Sequence, residues 1–342
     1  MFVVLSFEQI KEITWGTQRI EKLEDGIHFY RFSEKEQSVY DGHDFFRKTF
    51  ATAGVKLEFK TNSTHFGIKT AVIKAATRNF FSIDVFVDGE FSDCLRNSPA
   101  EELLGTMYSL NEYDWENIVF EKNFDLGVGE KKVTVYFPWS FALALKEITV
   151  DDGAFITPIK PEKSMLVVGD SITHGYDALY TSNRYATIVT SKLGVCEYNK
   201  AIGGEIFNPR LAQSFEEMDY DYVSVAYGTN DWSSLEPDKA RENCEGFFEA
   251  LCTKFDKSKI FVVSPIWRNS YLSNEKPFGS FFDMEKMIFE VAGKYKNTVC
   301  ISGLDMIDKD TAYLADLSVH PNDNGFKQYG ERLYNEIRKN ID

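Results

Sequence analysis

Histidine is scarce in this 342-residue chain, with five in all. Cysteine is equally sparse, and its five copies include no C-x-x-C pair. An odd count without paired spacing speaks against both a disulfide framework and a zinc site, and implies free, mostly buried thiols in a reducing compartment. No apolar run reaches 18 residues, so no membrane-spanning helix is expected. The N-terminus, "MFVVLSFEQIKEITWG", lacks the basic start and longer apolar run of a signal peptide, and the chain is expected to be cytoplasmic. Basic residues are in the minority: 38 Lys and Arg face 53 Asp and Glu, a net charge of -15. That balance argues against nucleic-acid partners, which need a basic footprint, and against docking on an anionic membrane. Internal repeats and low-complexity tracts are missing too.

What is present is aromatic: 29 Phe and 17 Tyr, enough to fill cores and to offer sugar-stacking faces. At this length about two domains are expected. From about residue 25 to 155 the apolar residues recur with period two. Val55, Leu57 and Phe59 alternate with Lys56, Glu58 and Lys60; Phe81, Ile83, Val85 and Val87 run into Asp88-Gly89, a tight hairpin turn; Val133, Val135 and Phe137 repeat the pattern. "HFGIKTAV", "ENIVFEKNF" and "LKEITVDDG" are further strands. Many short strands between turns predict a β-sandwich. The stretch Phe7 to Leu23 fits a helix or a strand equally well.

The two prolines of "ITPIKPEKS" mark a boundary, giving an expected sandwich over 1–158 and a second domain over 159–342. Beyond it the period changes. "MLVVG" is a doubly buried strand. Helices are expected over Tyr185–Leu193, Pro209–Met218, Pro237–Phe255 and Phe281–Tyr295. Strands fall at Val195–Tyr198 and in "YVSVAYG", "KIFVVSPI" and "TVCIS". A last helix carries Phe326, Tyr329, Leu333, Ile337 and Ile341, with Asp323 or Asn324 as its cap. Alternation of this kind predicts a parallel sheet with helices on both faces and a site at the strands' carboxyl ends.

The polar residues collect at those ends. Ser171 follows the first strand in "GDSITHG", Gly203 and Gly204 the second in "NKAIGGE", and Asn230 the third in "YGTNDW"; Asp316 and His320 precede the last helix in "ADLSVHPND". A serine, a glycine loop, an asparagine amide and an Asp-His pair suit acyl transfer. The hydroxyl attacks, the imidazole takes its proton, the carboxylate orients the ring, and N–H groups bind the oxyanion. A second histidine, His174, lies in the same tight turn as Ser171, poorly placed to face it. Asp170 reads as a structural acid. Trp232, Trp267 and Arg268 stand just past strand ends as candidates for lining the substrate pocket. The elbow G-x-S-x-G of another hydrolase fold is absent, since Thr173 occupies its second glycine position.

These segments, in this order, resemble the blocks of the SGNH (or GDSL) hydrolase superfamily. Gly169-Asp170-Ser171 matches the first block, Gly204 the second, Gly228-Thr229-Asn230-Asp231 the third, and Asp316 with His320-Pro321 the last. The resemblance covers about residues 163–342. It implies a flavodoxin-like α/β/α domain with a parallel five-stranded sheet, ester hydrolysis through Ser171, His320 and Asp316, an oxyanion hole of Ser171, Gly204 and Asn230, and no metal or cofactor. One feature departs from the family pattern: the acid and histidine are spaced D-x-x-x-H instead of D-x-x-H, with Leu317 at the usual acid position. Either Asp316 still reaches the ring, or a backbone carbonyl replaces it, as in some two-domain carbohydrate esterases of the superfamily. Asp305 and Asp323 are weaker substitutes.

A sandwich before such a domain is similar to the jelly roll of those carbohydrate esterases, acetylxylan esterases among them. The expected function is removal of small acyl groups, acetyl foremost, from a small-molecule or oligosaccharide ester. The rivals are a lipase, lysophospholipase or thioesterase on the same site, and a carbohydrate-binding protein that has lost activity.

Overall fold

The structure, a computed structural model, describes residues 1–97, 118–216, 218–273 and 275–341. Two units emerge from its contacts. One comprises Met1–Phe32, Arg47–Pro161 and Leu179–Ser182; the other comprises Ser33–Phe46, Glu162–Ala178 and Asn183–Asp342. The sequence pattern has a single crossing at 158/159. The contacts cross at 161/162 and add two excursions: the early segment Ser33–Phe46 packs with the second unit, and the late segment Leu179–Ser182 with the first.

The first unit holds strands β1 (Phe2–Val4), β2 (Thr14–Trp15), β3 (Arg19–Leu23), β4 (Gly26–Tyr30), β5 (Lys56–Thr61), β6 (His65–Lys74), β7 (Ser82–Val87), β8 (Glu90–Arg96), β9 (Val119–Asp125), β10 (Lys131–Tyr136), β11 (Phe141–Asp151) and β12 (Ile156–Pro158). They form two six-stranded antiparallel sheets. One runs β3-β4-β11-β6-β9 with β1 added along β11; the other runs β12-β5-β10-β7-β8 with β2 added along β5. The alternation sends Leu57, Phe59, Ile83, Val85, Val133 and Val135 from one sheet, and Phe66, Ile68, Leu143, Leu145 and Val150 from the other, into one common core. This is the expected jelly-roll-like sandwich. Asp88 and Gly89 both take positive φ, 52° and 90°, the type I′ geometry that matches strand twist. Glu58 does not face solvent as alternation predicts. It is buried, and although burial opposes its ionisation, Lys56 and Lys132 at 2.7 and 2.6 Å hold its pKa below the usual value. The undecided stretch Phe7 to Leu23 is a helix, α1 (Phe7–Glu12), followed by β2 and β3; the Ser6–Gln9 capping box starts the helix. The first two residues of "ENIVFEKNF", 116 and 117, lie outside the described residues.

The second unit begins with a one-turn helix, α2 (Glu34–Gln37), and continues from β13 (Lys163–Gly169). The parallel sheet of β13, β14 (Val195–Asn199), β15 (Tyr222–Ala226), β16 (Lys259–Val263) and β17 (Thr298–Ile301) has the order β14-β13-β15-β16-β17. This is the flavodoxin-like order, which reverses direction at β13. Met165 to Val168 are buried, as a strand covered on both faces requires. The helices are α3 (Ser171–His174), α4 (Tyr185–Leu193), α5 (Pro209–Ser214), α6 (Thr229–Ser234), α7 (Pro237–Lys254), α8 (Phe281–Ala292) and α9 (Asp323–Arg338). Helix α4 packs on α9, whereas α5, α7 and α8 pack in series; right-handed crossovers on either side of the switch put these two groups on opposite faces. Two helices are shorter than their apolar patterns, α5 ending at Ser214 and α8 at Ala292. The cap of α9 is Asn322, whose side chain accepts from the N–H groups of Asn324 and Gly325; Asp323 is already helical. Ile341 falls past the end of α9.

Candidate active site

Strand β13 ends at Gly169, and Asp170 caps α3 by accepting from the Ile172 N–H. Ser171 is therefore the first residue of a helical turn, and its own N–H is one of the donors such a turn leaves without an intrahelical acceptor. Burial raises the Asp170 carboxyl to about 6, against the opposing pull of the Ile172 N–H and the charges of His320 and Arg268. It serves as the cap, as expected of a structural acid.

The structure brings Ser171, His320 and Asp316 together. Ser171 Oγ lies 2.9 Å from His320 Nε2, and His320 Nδ1 lies 2.7 Å from Asp316 Oδ2. The extra residue between acid and histidine is absorbed at Leu317, which takes a positive φ of 57° and turns its side chain to solvent. The other oxygen of Asp316 accepts from the N–H groups of Ser318, Val319 and His320 at 2.9, 2.7 and 3.1 Å. The same carboxylate thus shapes the loop and meets the ring. Burial opposes its charge, but the His320 hydrogen bond and charge and these N–H groups prevail, holding its pKa far below the usual carboxylate range. No backbone carbonyl is needed in its place. Asp305 pairs instead with Lys309, 3.2 Å away.

A second acid also faces the ring. Asp177 Oδ2 is 3.4 Å from His320 Nδ1, and Asp177 is fully buried. Tyr176 stacks on His320 with ring centroids 5.8 Å apart. The sequence carried no signal for either residue, because their approach depends on how the turn after α3 folds back. Among the described residues, Asp177, Asp316 and His320 are the one group of metal-ligating side chains close enough to share an ion, their ligand atoms lying within 4.8 Å of one another.

The oxyanion candidates border this group. Gly204 has φ 90°, a conformation that favours glycine. Beside it, a side chain at Gly203 would strike the Tyr176 ring at 2.4 Å. The Gly203 N–H donates to His174 Nδ1 at 3.3 Å, so His174 is buried behind the loop as its support. Asn230 opens α6, and its amide donates to the Glu205 carbonyl at 2.9 Å. That bond ties the end of β15 to the glycine loop, and an amide nitrogen carries a second N–H. Asp231, also buried, accepts from the Phe207 N–H at 3.1 Å. Burial lifts its carboxyl to about 7, with Asp170 and Glu205 adding to the rise.

The pocket-lining candidates separate. Trp232 is buried, donates its indole N–H to the Gly279 carbonyl at 2.8 Å and meets Phe281 edge-on at 4.9 Å. The structure thus corrects its expected place: a ring so enclosed supports the site from behind. The Arg268 guanidinium lies 5.1 Å over that ring and donates to Thr229 Oγ1 at 3.1 Å. Burial lowers its pKa, while Asp316 and Asp170 oppose the change. Trp267 is largely buried against Tyr271, and its indole N–H has no partner among the described residues.

A flavodoxin-like sheet with a serine, an imidazole and a carboxylate in hydrogen-bonded series at its switch point defines a serine acyl hydrolase scaffold. Residues 167–328 match the GDSL-like Lipase/Acylhydrolase family. The chain is a carboxylic-ester hydrolase by class, with the coarse activity of an esterase or acyltransferase. No curated protein matches the sequence. Among solved structures, the salicylyl acyltransferase SsfX3 of a tetracycline biosynthetic pathway shares 16% identity at TM-score 0.78, covering 99% of this chain and 97% of its own. A family two carbohydrate esterase from Cellvibrio japonicus shares 13% at TM-score 0.63, covering 99% and 97%. An acetyl xylan esterase from Butyrivibrio proteoclasticus shares 14% at TM-score 0.62, covering 100% and 98%. At such identities the likeness is one of fold.

Proposed function

We propose that the protein is a serine esterase that removes small acyl groups, acetyl first, from a carbohydrate. The observation that carries the reading is the series Ser171 Oγ, His320 Nε2 and Nδ1, Asp316 Oδ2, with steps of 2.9 and 2.7 Å. Ser171 Oγ attacks the ester carbonyl carbon while its proton passes to His320 Nε2. The N–H groups of Ser171 and Gly204 and the Asn230 amide hold the oxyanion. The carbon–oxygen bond to the sugar breaks, and the sugar oxygen takes the proton from Nε2. Water then attacks the acyl-enzyme with His320 again as base, releasing the acid and restoring Ser171. Trp267 and Arg268 border the substrate. Carbohydrate as the alcohol is favoured by two supports: the preceding jelly-roll-like unit, and the same two-part fold in the carbohydrate esterases above.

The test is hydrolysis of p-nitrophenyl acetate, butyrate and octanoate and of acetylated xylo-oligosaccharides by the wild type and Ser171→Ala. The acetyl esters should turn over fastest, and Ser171→Ala should lose at least about 10⁴-fold in kcat. Preference for octanoate would replace the carbohydrate reading with a lipase. A wild type inert on every ester would remove the hydrolytic reading altogether.

A further inference from the structure

The inference concerns Asp177 and rests on the esterase reading. We propose that Asp177 is a second carboxylate for His320, a positioning residue that shares with Asp316 the task of holding the Nδ1–H tautomer and of stabilising the imidazolium formed when Ser171 gives up its proton.

The geometry supplies the argument. Both acids approach the same ring nitrogen, Asp316 at 2.7 Å and Asp177 at 3.4 Å. They come from different parts of the chain, one from the loop before α9 and one from the turn after α3. Asp177 is held there at some conformational cost. Its φ is 74°, in the left-handed region, two residues after Gly175 at φ 112°. Non-glycine residues persist in that region where the surroundings over-determine them, often at functional sites. The turn is pinned by the Ser171 carbonyl, which accepts from the N–H groups of Gly175 and Tyr176 at 3.0 and 2.9 Å. The nucleophile's own turn therefore delivers the second acid. Tyr176, the residue before Asp177, stacks on the His320 ring.

The division of labour at Asp316 makes a second acid useful. One of its oxygens is engaged by three backbone N–H groups, leaving the other for the ring. In Asp316→Asn the carbonyl oxygen would stay with those N–H groups, and the amide N–H would face Nδ1, donor against donor. With a single acid such a replacement imposes the wrong tautomer and costs about 10⁴-fold in kcat. Here Asp177 remains as an acceptor for Nδ1–H.

The charged and titratable groups around the ring are Asp316 on its own loop, Asp177 and Tyr176 on the turn after α3, and Asp170 before α3; Arg268, after β16, acts on Asp316 and Asp170. Removing the Asp177 charge removes an anion that favours the imidazolium. The acid limb of kcat/KM, set by deprotonation of the base, should then move to lower pH, while the rate on its plateau falls.

The experiment compares wild type, Asp177→Asn, Asp316→Asn and the double variant on p-nitrophenyl acetate across pH, with Ser171→Ala as the blank. Asparagine tolerates the left-handed backbone at 177. The expected losses in kcat/KM are about 10-fold for Asp177→Asn, about 10²-fold for Asp316→Asn and about 10⁴-fold for the double variant, with the Asp177→Asn acid limb displaced to lower pH. Two results would overturn the proposal. One is an Asp316→Asn enzyme as inactive as the double variant; the other is an Asp177→Asn enzyme whose acid limb stays in place, which marks a purely structural acid. Should Asp177→Asn fail to fold, Asp316→Asn alone decides, by a loss near 10²-fold or near 10⁴-fold. A wild type without activity above the Ser171→Ala blank would defeat the esterase reading itself, an outcome distinct from either.

Discussion

Asp316 performs two tasks with two oxygens, and neither is visible in its spacing alone. The residue was legible as an acid shortly before a histidine; its three backbone bonds were not, because they depend on the loop's path. Asp231 shows the same limit from the other side. Its place in the third block was readable, but its burial and its bond from the Phe207 N–H, far away in the chain, were not. An acid whose pKa rises from the ordinary 3.8 to about 7 on folding favours the folded state only while protonated. Its contribution is complete below about pH 4 and is lost as pH rises through about 7, at most about 4 kcal/mol. Asp231→Asn, neutral throughout, should therefore gain stability over the wild type at pH 8 and differ little at pH 4. Denaturant midpoints at the two pH values measure this, and an unchanged difference would show that the carboxyl is already ionised in the fold.

At the scale of elements, the regular helices and strands followed from periodicity, and the irregular turns between them did not. Strand β13 and helix α4 lie where apolar patterning put them, since burial on fixed faces writes itself into sequence. The loop before α9 is different. Its extra residue relative to the family pattern is accommodated by one left-handed residue, Leu317, whose side chain is 63% exposed. Little packing is at stake there, while a non-glycine residue pays a steric penalty. Leu317→Gly should relieve it and raise stability by up to about 1 kcal/mol, with kcat unchanged because Asp316 keeps its contacts. Thermal melting and p-nitrophenyl acetate turnover would check both halves. A drop in kcat would mean that the leucine side chain, not only its backbone, serves the site.

At the scale of the whole molecule, the composition change near residue 158 misses the excursion of Ser33–Phe46 into the second unit. Glu36, in α2, pairs with Lys200 just after β14, and both side chains are almost wholly buried. The Glu36 carboxylate also accepts from the Ser33 N–H as half of a capping box. Breaking a buried pair by removing one partner costs about 3–5 kcal/mol, because a charge is left in a dry environment. Residues 159–342 expressed alone lack Glu36. They should therefore lose a substantial part of a typical domain's stability of about 5–15 kcal/mol, seen as a weakened near-UV circular dichroism and a lowered urea midpoint relative to a chain that includes Ser33–Phe46. A fully cooperative, equally stable fragment would show that the pair is dispensable.

The sequence by itself determined the two fold classes, the order of the four blocks and the choice of Ser171, His320 and Asp316 as candidates, because periodicity and short-range spacing are properties of a chain before it folds. The tertiary structure decided which acids face His320, that Trp232 lies behind the site, and which early segment Lys200 needs. Those are contacts between residues far apart in the chain or turned by left-handed backbone, and no local pattern encodes the direction in which a side chain finally points.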